Sequence, residues 1–233
     1  MDSEEFYDEY VAQQKAVGIN ERHHAILRWL RRFGMRPGDR VLEIGCGIGT
    51  VSGLISNALG SEGSLMSTDL SLKSIAVARS RLANRNNVEF KAGNVLSVEI
   101  EGVFDVVVLP DVIEHIPLEH HQELFSRIAS WLTPDGFVLL HYPNPWYLKW
   151  RCENMPDRIQ PIDQPIHADT LTANVYANGL YLDHLETYSI WIAEHDCQVA
   201  VLRRQAPDAS FTHIQQPRSI TRRIKRAIRR LIP

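Results

Sequence analysis

Short apolar runs alternate with helical segments through the middle of the chain, and this alternation constrains the fold more than any other feature. The runs RVLEI, SLMSTDL, NVEFKAGN, VFDVVVLP and FVLLHY indicate strands, while TVSGLISNALG, SLKSIAVARSRLANR and LEHHQELFSRIASWL indicate helices. VFDVVVLP is apolar almost throughout, as a strand buried on both faces requires. Strands that alternate with helices predict an α/β fold, in which right-handed crossovers wind a parallel sheet.

The two ends of the chain add further elements. Residues 3 to 33 have helical spacing, a helix is predicted near 169 to 178, and LYLDHLETYSIW and HDCQVAVLRR indicate two more strands. The stretch that follows Pro143, rich in proline and tryptophan, is predicted to be a loop of about 25 residues, a length typical of functional or disordered segments. His120 and His121 are expected at the surface of their helix.

Charge is distributed unevenly. The formal net charge is −3, yet residues 218–230 carry seven basic residues and no acid. An acidic body with a basic tail suggests that the tail has a partner of its own.

Cysteine number and hydropathy exclude several classes of protein. Three cysteines without paired spacing do not form a disulfide framework or a zinc site. The acidic start MDSEEFYDEY lacks the apolar core of a signal peptide, and no run of eighteen apolar residues occurs. A reducing, cytoplasmic compartment is therefore predicted.

The stretch VLEIGCGIGT places glycines directly after the first strand. Its spacing differs from G-x-G-x-x-G and it lacks the Lys-Ser/Thr pair of a phosphate-binding loop. Glu43, just before the glycines, would repel a pyrophosphate but suits a ligand with a cationic amine. Asp69 ends the second strand 22 residues after Gly47, about the spacing at which an acid binds ribose hydroxyls in dinucleotide folds. As alternatives, Gly45 and Gly47 could be turn glycines and Asp69 a helix cap.

Five motifs in order carry a family resemblance. VLEIGCGIGT, STDLS, KAGNV, FDVVVLPDVIEHI and LTPDGFVLLHYPNP resemble the motifs of class I S-adenosylmethionine-dependent methyltransferases, over about residues 20 to 204. The resemblance implies roles in binding S-adenosyl-L-methionine: the glycines would approach its methionine part, Glu43 its ammonium, Asp69 its ribose, and Leu70, Asn94 and Val95 its adenine. Asn94 stands where many relatives carry Asp, and it could also be a simple turn residue. The full predicted cofactor set is Glu43, Gly45, Cys46, Gly47, Gly49, Asp69, Leu70, Asn94, Val95 and Asp111.

The resemblance also sharpens the predicted architecture. It implies a Rossmann-like, doubly wound, seven-stranded, mostly parallel sheet with an antiparallel edge. The predicted divisions are an N-terminal helical lid (1–38), the methyltransferase domain (39–204), a linker (205–217) and a basic amphipathic helix (218–233).

A second group of candidate residues follows the fourth strand, in DVIEHI. Asp111, Glu114 and His115 stand at i, i+3 and i+4, so one helical turn would bring them together. We predict His115 as a general base, with Glu114 beside it, because histidine titrates near neutral pH. The stretch also resembles the E-x-x-E-H metal motif of ubiquinone-pathway and small-RNA O-methyltransferases, which would make Asp111, Glu114, His115 and His167 metal ligands. The first acid is Asp here, so the prediction is no metal; a purely structural role is the third alternative.

Aromatic and histidine side chains near the predicted cleft are candidates for acceptor binding. They are Tyr7 and Tyr10 on the lid, His141 at the end of strand five, Trp146 in the aromatic loop, and His167. As alternatives, the tyrosines could be helix-packing residues, His141 could be core, and the loop aromatics could cover a sheet edge.

The tail RSITRRIKRAIRRLIP has an apolar stripe between basic residues, the composition of a helix that lies in a membrane interface. As alternatives, the tail could bind RNA, dock on an acidic face of another copy, or be a solvated helix without a partner. The tail has no aromatic residues to stack on bases, which disfavours RNA. The sequence thus predicts a cytoplasmic, peripheral-membrane methyltransferase that methylates oxygen on a small molecule or a lipid-linked glycan. An RNA or quinone-type acceptor with a divalent metal, or a non-catalytic cofactor-binding module, are the alternatives. The oligomeric state is not predicted.

Overall fold

The computed structural model describes residues 3–204. The predicted linker (205–217) and basic helix (218–233) lie outside the described residues. The helices are α1 (Ser3–Val17), α2 (Glu21–Phe33), α3 (Thr50–Leu59), α4 (Leu72–Arg81), α5 (His121–Trp131), α6 (Pro145–Asn154) and α7 (Ala168–Tyr176). The strands are β1 (Arg40–Ile44), β2 (Ser64–Asp69), β3 (Val88–Ala92), β4 (Phe104–Pro110), β5 (Leu132–Pro143), β6 (Leu180–Tyr188) and β7 (Cys197–Arg204). Short 3₁₀ turns occupy Ile113–His115, Leu118–His120 and Pro156–Arg158.

The predicted doubly wound sheet is confirmed. Its seven strands follow the order β3-β2-β1-β4-β5-β7-β6. The first five pair in parallel, whereas β7 runs antiparallel to both β5 and β6. The antiparallel strand is therefore next to the edge, and β6 is the edge strand. The strand order reverses between β1 and β4, and ligands of open α/β sheets bind at the carboxyl ends of strands at such a reversal.

Apolar cores cover both faces of the sheet, as the continuous apolar run of β4 predicts. Val107 and Leu109 join one core cluster, while Val106 and Val108 join the other. A strand buried on both faces has few positions for charge, so polar side chains concentrate where strands end.

The N-terminal helical segment consists of two helices. Gly18, with φ 62°, ends α1, and Asn20 caps α2 by accepting a hydrogen bond from the Arg22 N–H at 3.1 Å. α2 buries Ala25, Ile26 and Leu30 against the sheet. α2 is thus part of the core, and the break at residues 18–20 separates it from α1.

Two expectations are wrong. The stretch that follows Pro143 begins with α6 rather than a loop, because Asn144 caps it by accepting the Trp146 N–H at 3.0 Å and Pro145 suits the first helical position. His120 is exposed as expected, but His121 is fully buried: a ring nitrogen lies 2.9 Å from the Ile116 carbonyl oxygen, and the ring packs edge-on against Phe125. None of the helices in residues 3–204 is long and apolar enough to cross a membrane.

Candidate functional site

A cleft of about 1310 Å³ opens at the carboxyl ends of β1, β2, β3 and β4. Small-molecule sites usually span about 300–1,000 Å³, so this cleft is larger than the usual site for one small ligand. Its walls come from the turns after these strands, from α1, and from the segment between α6 and α7.

The glycine turn after β1 forms one wall, and its backbone excludes side chains. Gly45, Gly47 and Gly49 have φ values of 80°, 51° and 77°, in the left-handed region that favours glycine. A Cβ on Gly45 would lie 2.1 Å from Cγ2 of Val112, and one on Gly47 would lie 2.6 Å from Nε2 of Gln14 on α1. A ligand or another segment can therefore approach this backbone closely.

Asp69, at the end of β2, is held at the cleft by backbone donors. Its carboxylate accepts the Gly47 N–H at 2.7 Å and the Ser71 N–H at 2.9 Å. These bonds tie the end of β2 to the glycine turn. Leu70 follows it and also lines the cleft. The carboxylate is thus held in a fixed orientation at the cleft.

Asn94 and Val95 line the same side of the cleft, after β3. The Asn94 side-chain oxygen accepts the Leu96 N–H at 2.9 Å, which forms a local turn. Because the oxygen is engaged, the exposed amide NH₂ is the group that can donate to a ligand.

Three residues of the predicted cofactor set do not line the cleft: Gly49 in the turn, and Glu43 and Cys46, whose side chains lie behind it. Glu43 is fully buried, and its Oε2 accepts hydrogen bonds from the hydroxyls of Ser52, at 2.5 Å, and Ser67, at 2.7 Å. Burial raises the pKa of Glu43 to about 7, against the lowering effect of the two hydroxyls. Cys46 is also buried, and burial raises the pKa of its thiol. Both side chains reach a ligand only through the turn that they support.

Asp111 connects the cleft to α2. It has φ 55° although it is not glycine, and its carboxylate contacts the Arg22 guanidinium and a His141 ring nitrogen, both at 2.7 Å. Burial opposes ionisation of Asp111, but Arg22 and His141 outweigh it and hold its pKa well below the usual range. His141 is fully buried and lies 2.6 Å from the Tyr188 hydroxyl. His141 thus supports Asp111 from behind and does not line the cleft.

Glu114 and His115 both line the cleft, but on a 3₁₀ turn that excludes Asp111, so the predicted helical face is not formed. Burial and the charge of Asp111 raise the pKa of Glu114 well above its usual value. Burial lowers the pKa of His115. His115 Nδ1 lies 2.7 Å from the Ile162 carbonyl oxygen and 3.3 Å from an Asp163 carboxylate oxygen. The Glu114 carboxyl and the His115 ring are therefore both favoured in their neutral forms.

The remaining predicted residues divide into two groups. Tyr7 and Tyr10 of α1 line the cleft, and the Tyr7 ring centroid lies 6.3 Å from that of His115. Trp146 and His167 pack against each other at 5.2 Å between centroids and do not line the cleft. Within residues 3–204, no group of three or more His, Cys, Asp or Glu side chains is arranged to hold a metal ion.

Sequence reasoning missed the cleft wall that comes from the last turn of α6 and the segment that follows it. Its polar members are Arg151, Asp157, Arg158, Gln160 and Asp163. Arg151 donates to the Arg158 carbonyl oxygen at 2.8 Å, and Asp163 accepts the Gln160 N–H at 3.1 Å, so the segment is folded on itself. The density of charge in RCENMPDRIQPID was the available signal.

Comparisons with known proteins agree with this geometry. Residues 41–136 match the family model described as a methyltransferase domain. Among solved structures, the chain is similar to the CcbJ methyltransferase from Streptomyces caelestis (TM-score 0.68, 16% identity, 88% of this chain and 100% of that one). It is also similar to magnesium protoporphyrin IX methyltransferase from Synechocystis PCC 6803 with bound SAM (TM-score 0.63, 18% identity, 88% and 98%). The fold is therefore that of class I S-adenosylmethionine-dependent methyltransferases. Within it, residues 41–136 match the methyltransferase-domain model, as the resemblance seen in the sequence predicts.

Curated relatives cover less of the chain. Phosphoethanolamine N-methyltransferase of Plasmodium falciparum is 29% identical over 147 residues, 63% of this chain and 53% of the relative. Malonyl-[acyl-carrier protein] O-methyltransferase of Bacillus anthracis is 33% identical over 134 residues, 57% and 46% respectively. The chain spans about half the length of these relatives.

Proposed function

We propose that this protein is an S-adenosylmethionine-dependent methyltransferase that methylates an oxygen of a small molecule or of a lipid-linked glycan. One observation carries the proposal: a single cleft has the glycine turn and the Asp69 carboxylate on one wall and the His115 ring, whose pKa burial lowers, on the other. Named relatives act on small acceptors, among them phosphoethanolamine and the malonyl group of an acyl carrier protein. Their names support the general class of acceptor.

The residues at the cleft fit S-adenosyl-L-methionine. The glycine turn leaves room beside its backbone, Asp69 can accept from the ribose hydroxyls, and Asn94 can donate to the adenine edge. Leu70 and Val95 supply apolar contact for the adenine ring. Glu43 would act indirectly, by fixing the turn. When bound, this cofactor supplies a methyl group already activated on a sulfonium.

His115 is the best-placed base for an acceptor hydroxyl. The Ile162 carbonyl and the Asp163 carboxylate can only accept, so His115 Nδ1 carries the proton and Nε2 the lone pair. Burial lowers the pKa of His115 and so keeps Nε2 unprotonated at neutral pH. Nε2 would then be free to accept the proton of an acceptor hydroxyl.

Glu114 complements this base. Its pKa is raised well above the usual value, so the carboxyl keeps its proton, and its buried Oε2 has no hydrogen-bond partner among the described residues. A protonated carboxyl can donate a hydrogen bond to the acceptor and hold it for attack. Tyr7, whose pKa burial also raises, remains a neutral phenol above the same site.

The membrane part of the proposal rests on the tail. Residues 218–230 attract anionic headgroups by about 1 kcal/mol for each basic residue near the surface. We place the protein at the cytoplasmic face of a membrane, where a lipid-linked acceptor would be concentrated.

Turnover of cofactor with a labelled methyl group in a cell extract tests the proposal. We expect labelled product that partitions into lipid solvent, and a loss of about 10²–10⁴-fold in rate for His115→Gln, with binding of the demethylated cofactor unchanged. Label in RNA would indicate an RNA acceptor instead. Activity that is lost with a chelator and restored by magnesium would indicate the metal-dependent alternative, with an RNA or quinone-type acceptor. Cofactor binding without turnover would support a non-catalytic binding module instead.

A further inference from the structure

Three tryptophans are exposed at the end of the sheet that holds the cleft. Trp146 and Trp150 on α6 and Trp191 in the β6–β7 connection are 68%, 47% and 61% exposed. Large aromatic side chains are normally mostly buried, so exposed tryptophans on two segments that hydrogen-bond to each other indicate a surface that meets a partner. We call these three residues the tryptophan face.

The tryptophan face is held rigidly. Trp146 and Trp150 are one helical turn apart, and Trp150 stacks on Tyr147 at 6.3 Å between centroids. The connection that carries Trp191 is tied to the cap of α6, because the Asn144 backbone and side-chain amides donate to the Asp196 and His195 carbonyls at 2.9 and 2.8 Å. Helix and connection therefore form one unit.

The face borders the mouth of the cleft. Arg151 follows Trp150 on the same helix and lines the cleft, while the buried Leu148 attaches the other side of α6 to the core. A surface seated on the tryptophans would thus lie beside the acceptor side of the cleft.

We propose that the tryptophan face docks on the surface of a phospholipid bilayer, with the indole rings at the level of the headgroups. This inference deepens the proposed function and rests on its lipid-linked acceptor. Indole has an apolar body and a polar N–H, and tryptophan is enriched at membrane interfaces for that reason. Exposed Lys149, between Trp146 and Trp150, adds a positive charge that suits anionic headgroups.

The basic segment 218–230 can contact the same bilayer. β7 runs away from the cleft end, and its eight residues span about 27 Å. Residues 205–217 can extend at most about 45 Å, which is enough to return to the cleft end. Once the tryptophan face or the basic segment is bound to the bilayer, binding of the other becomes effectively intramolecular. The two weak contacts therefore reinforce each other.

The test uses the full chain with the double variant Trp146→Ser/Trp150→Ser. Tyr176→Ser is the matched control, because Tyr176 is 52% exposed but ends α7, next to the start of β6 at the opposite end of the sheet. Vesicles of phosphatidylcholine with a minor fraction of phosphatidylglycerol are sedimented with each protein. Brominated phosphatidylcholine reports insertion by quenching tryptophan fluorescence.

We expect the double variant to lose about tenfold or more in vesicle partitioning and most of the quenching, while the control behaves as the unmodified protein. Equal partitioning of the double variant and the unmodified protein would overturn the proposal, as would absence of quenching. A change in oligomeric state, seen by sedimentation velocity without vesicles, would assign the face to a second copy instead. Binding of the demethylated cofactor, measured by calorimetry on every variant, reports folding and tests the proposed function independently of the membrane.

Discussion

Replacing the buried carboxyl of Glu43 with an amide should change how the stability of the protein depends on pH. The pKa of Glu43 is raised from 4.5 to about 7, mainly by burial. The folded state therefore holds this proton more tightly than the unfolded state does. The stabilisation is fully present below pH 4.5 and is lost as the pH rises through about 7.

The size of the effect follows from the same shift in the pKa of Glu43. A pKa raised from 4.5 to about 7 corresponds to about 3 kcal/mol of unfolding free energy lost across that interval. Glu43→Gln cannot ionise, so its stability should lack this loss. The variant carries its own cost of about 1–3 kcal/mol, because an amide NH₂ would replace Oε1, which has no partner among the described residues. We expect it to be less stable than the unmodified protein at pH 5 and equal or more stable at pH 8.

Urea unfolding at a series of pH values, followed by both circular dichroism and fluorescence, measures this difference. If the two probes give the same unfolding transition, unfolding is two-state and a free energy of unfolding can be calculated at each pH. Glu89→Gln, at an exposed position on β3, is the matched control and should keep the pH dependence of the unmodified protein. The reasoning is refuted if Glu43→Gln and the unmodified protein show parallel curves from pH 5 to 8.

Three further outcomes are expected. Since burial lowers the pKa of His115, methyl transfer should fall only at pH values below the ordinary histidine range near 6.5; a midpoint above it in a rate profile would contradict the assignment. Asp69→Ala should weaken binding of the demethylated cofactor by about tenfold or more in calorimetry, because ribose contacts and the bond to the glycine turn are lost together; unchanged affinity would remove Asp69 from the site. Gly45→Ala should destabilise the fold by about 2–4 kcal/mol through strain and overlap with Val112. Adding Val112→Ala should restore part of that stability in urea unfolding, and no restoration would mean that the backbone strain dominates.

The sheet could be predicted from sequence because each strand and helix carries a local signal. β4 is apolar on both faces, and the glycines and Asp69 sit where strands end, so pattern and position agree. The place of Glu43 could not be predicted in the same way. Its hydroxyl partners come from α3 and β2, and only the folded packing brings them to one side of β1.

α6 was missed for a related reason. Proline and closely spaced aromatics obscure helical periodicity, although Asn-Pro at 144–145 is a recognisable helix start. The burial of His121 also depends on tertiary contacts, since neighbouring residues in its helix are exposed. Residues whose roles arise from contacts between distant segments leave little trace in local sequence.

The break at residues 18–20 divides the N-terminal region into parts with different attachments. α2 is anchored in the core by Ile26 and Leu30, whereas Tyr7, Tyr10 and Gln14 of α1 face the cleft. A ligand bound in the cleft would contact these α1 side chains, so binding should strengthen the attachment of α1. The rate at which a protease cuts the break at residues 18–20 would then report how much of the cleft is occupied. Such a measurement would let candidate acceptors be ranked before any product has been identified.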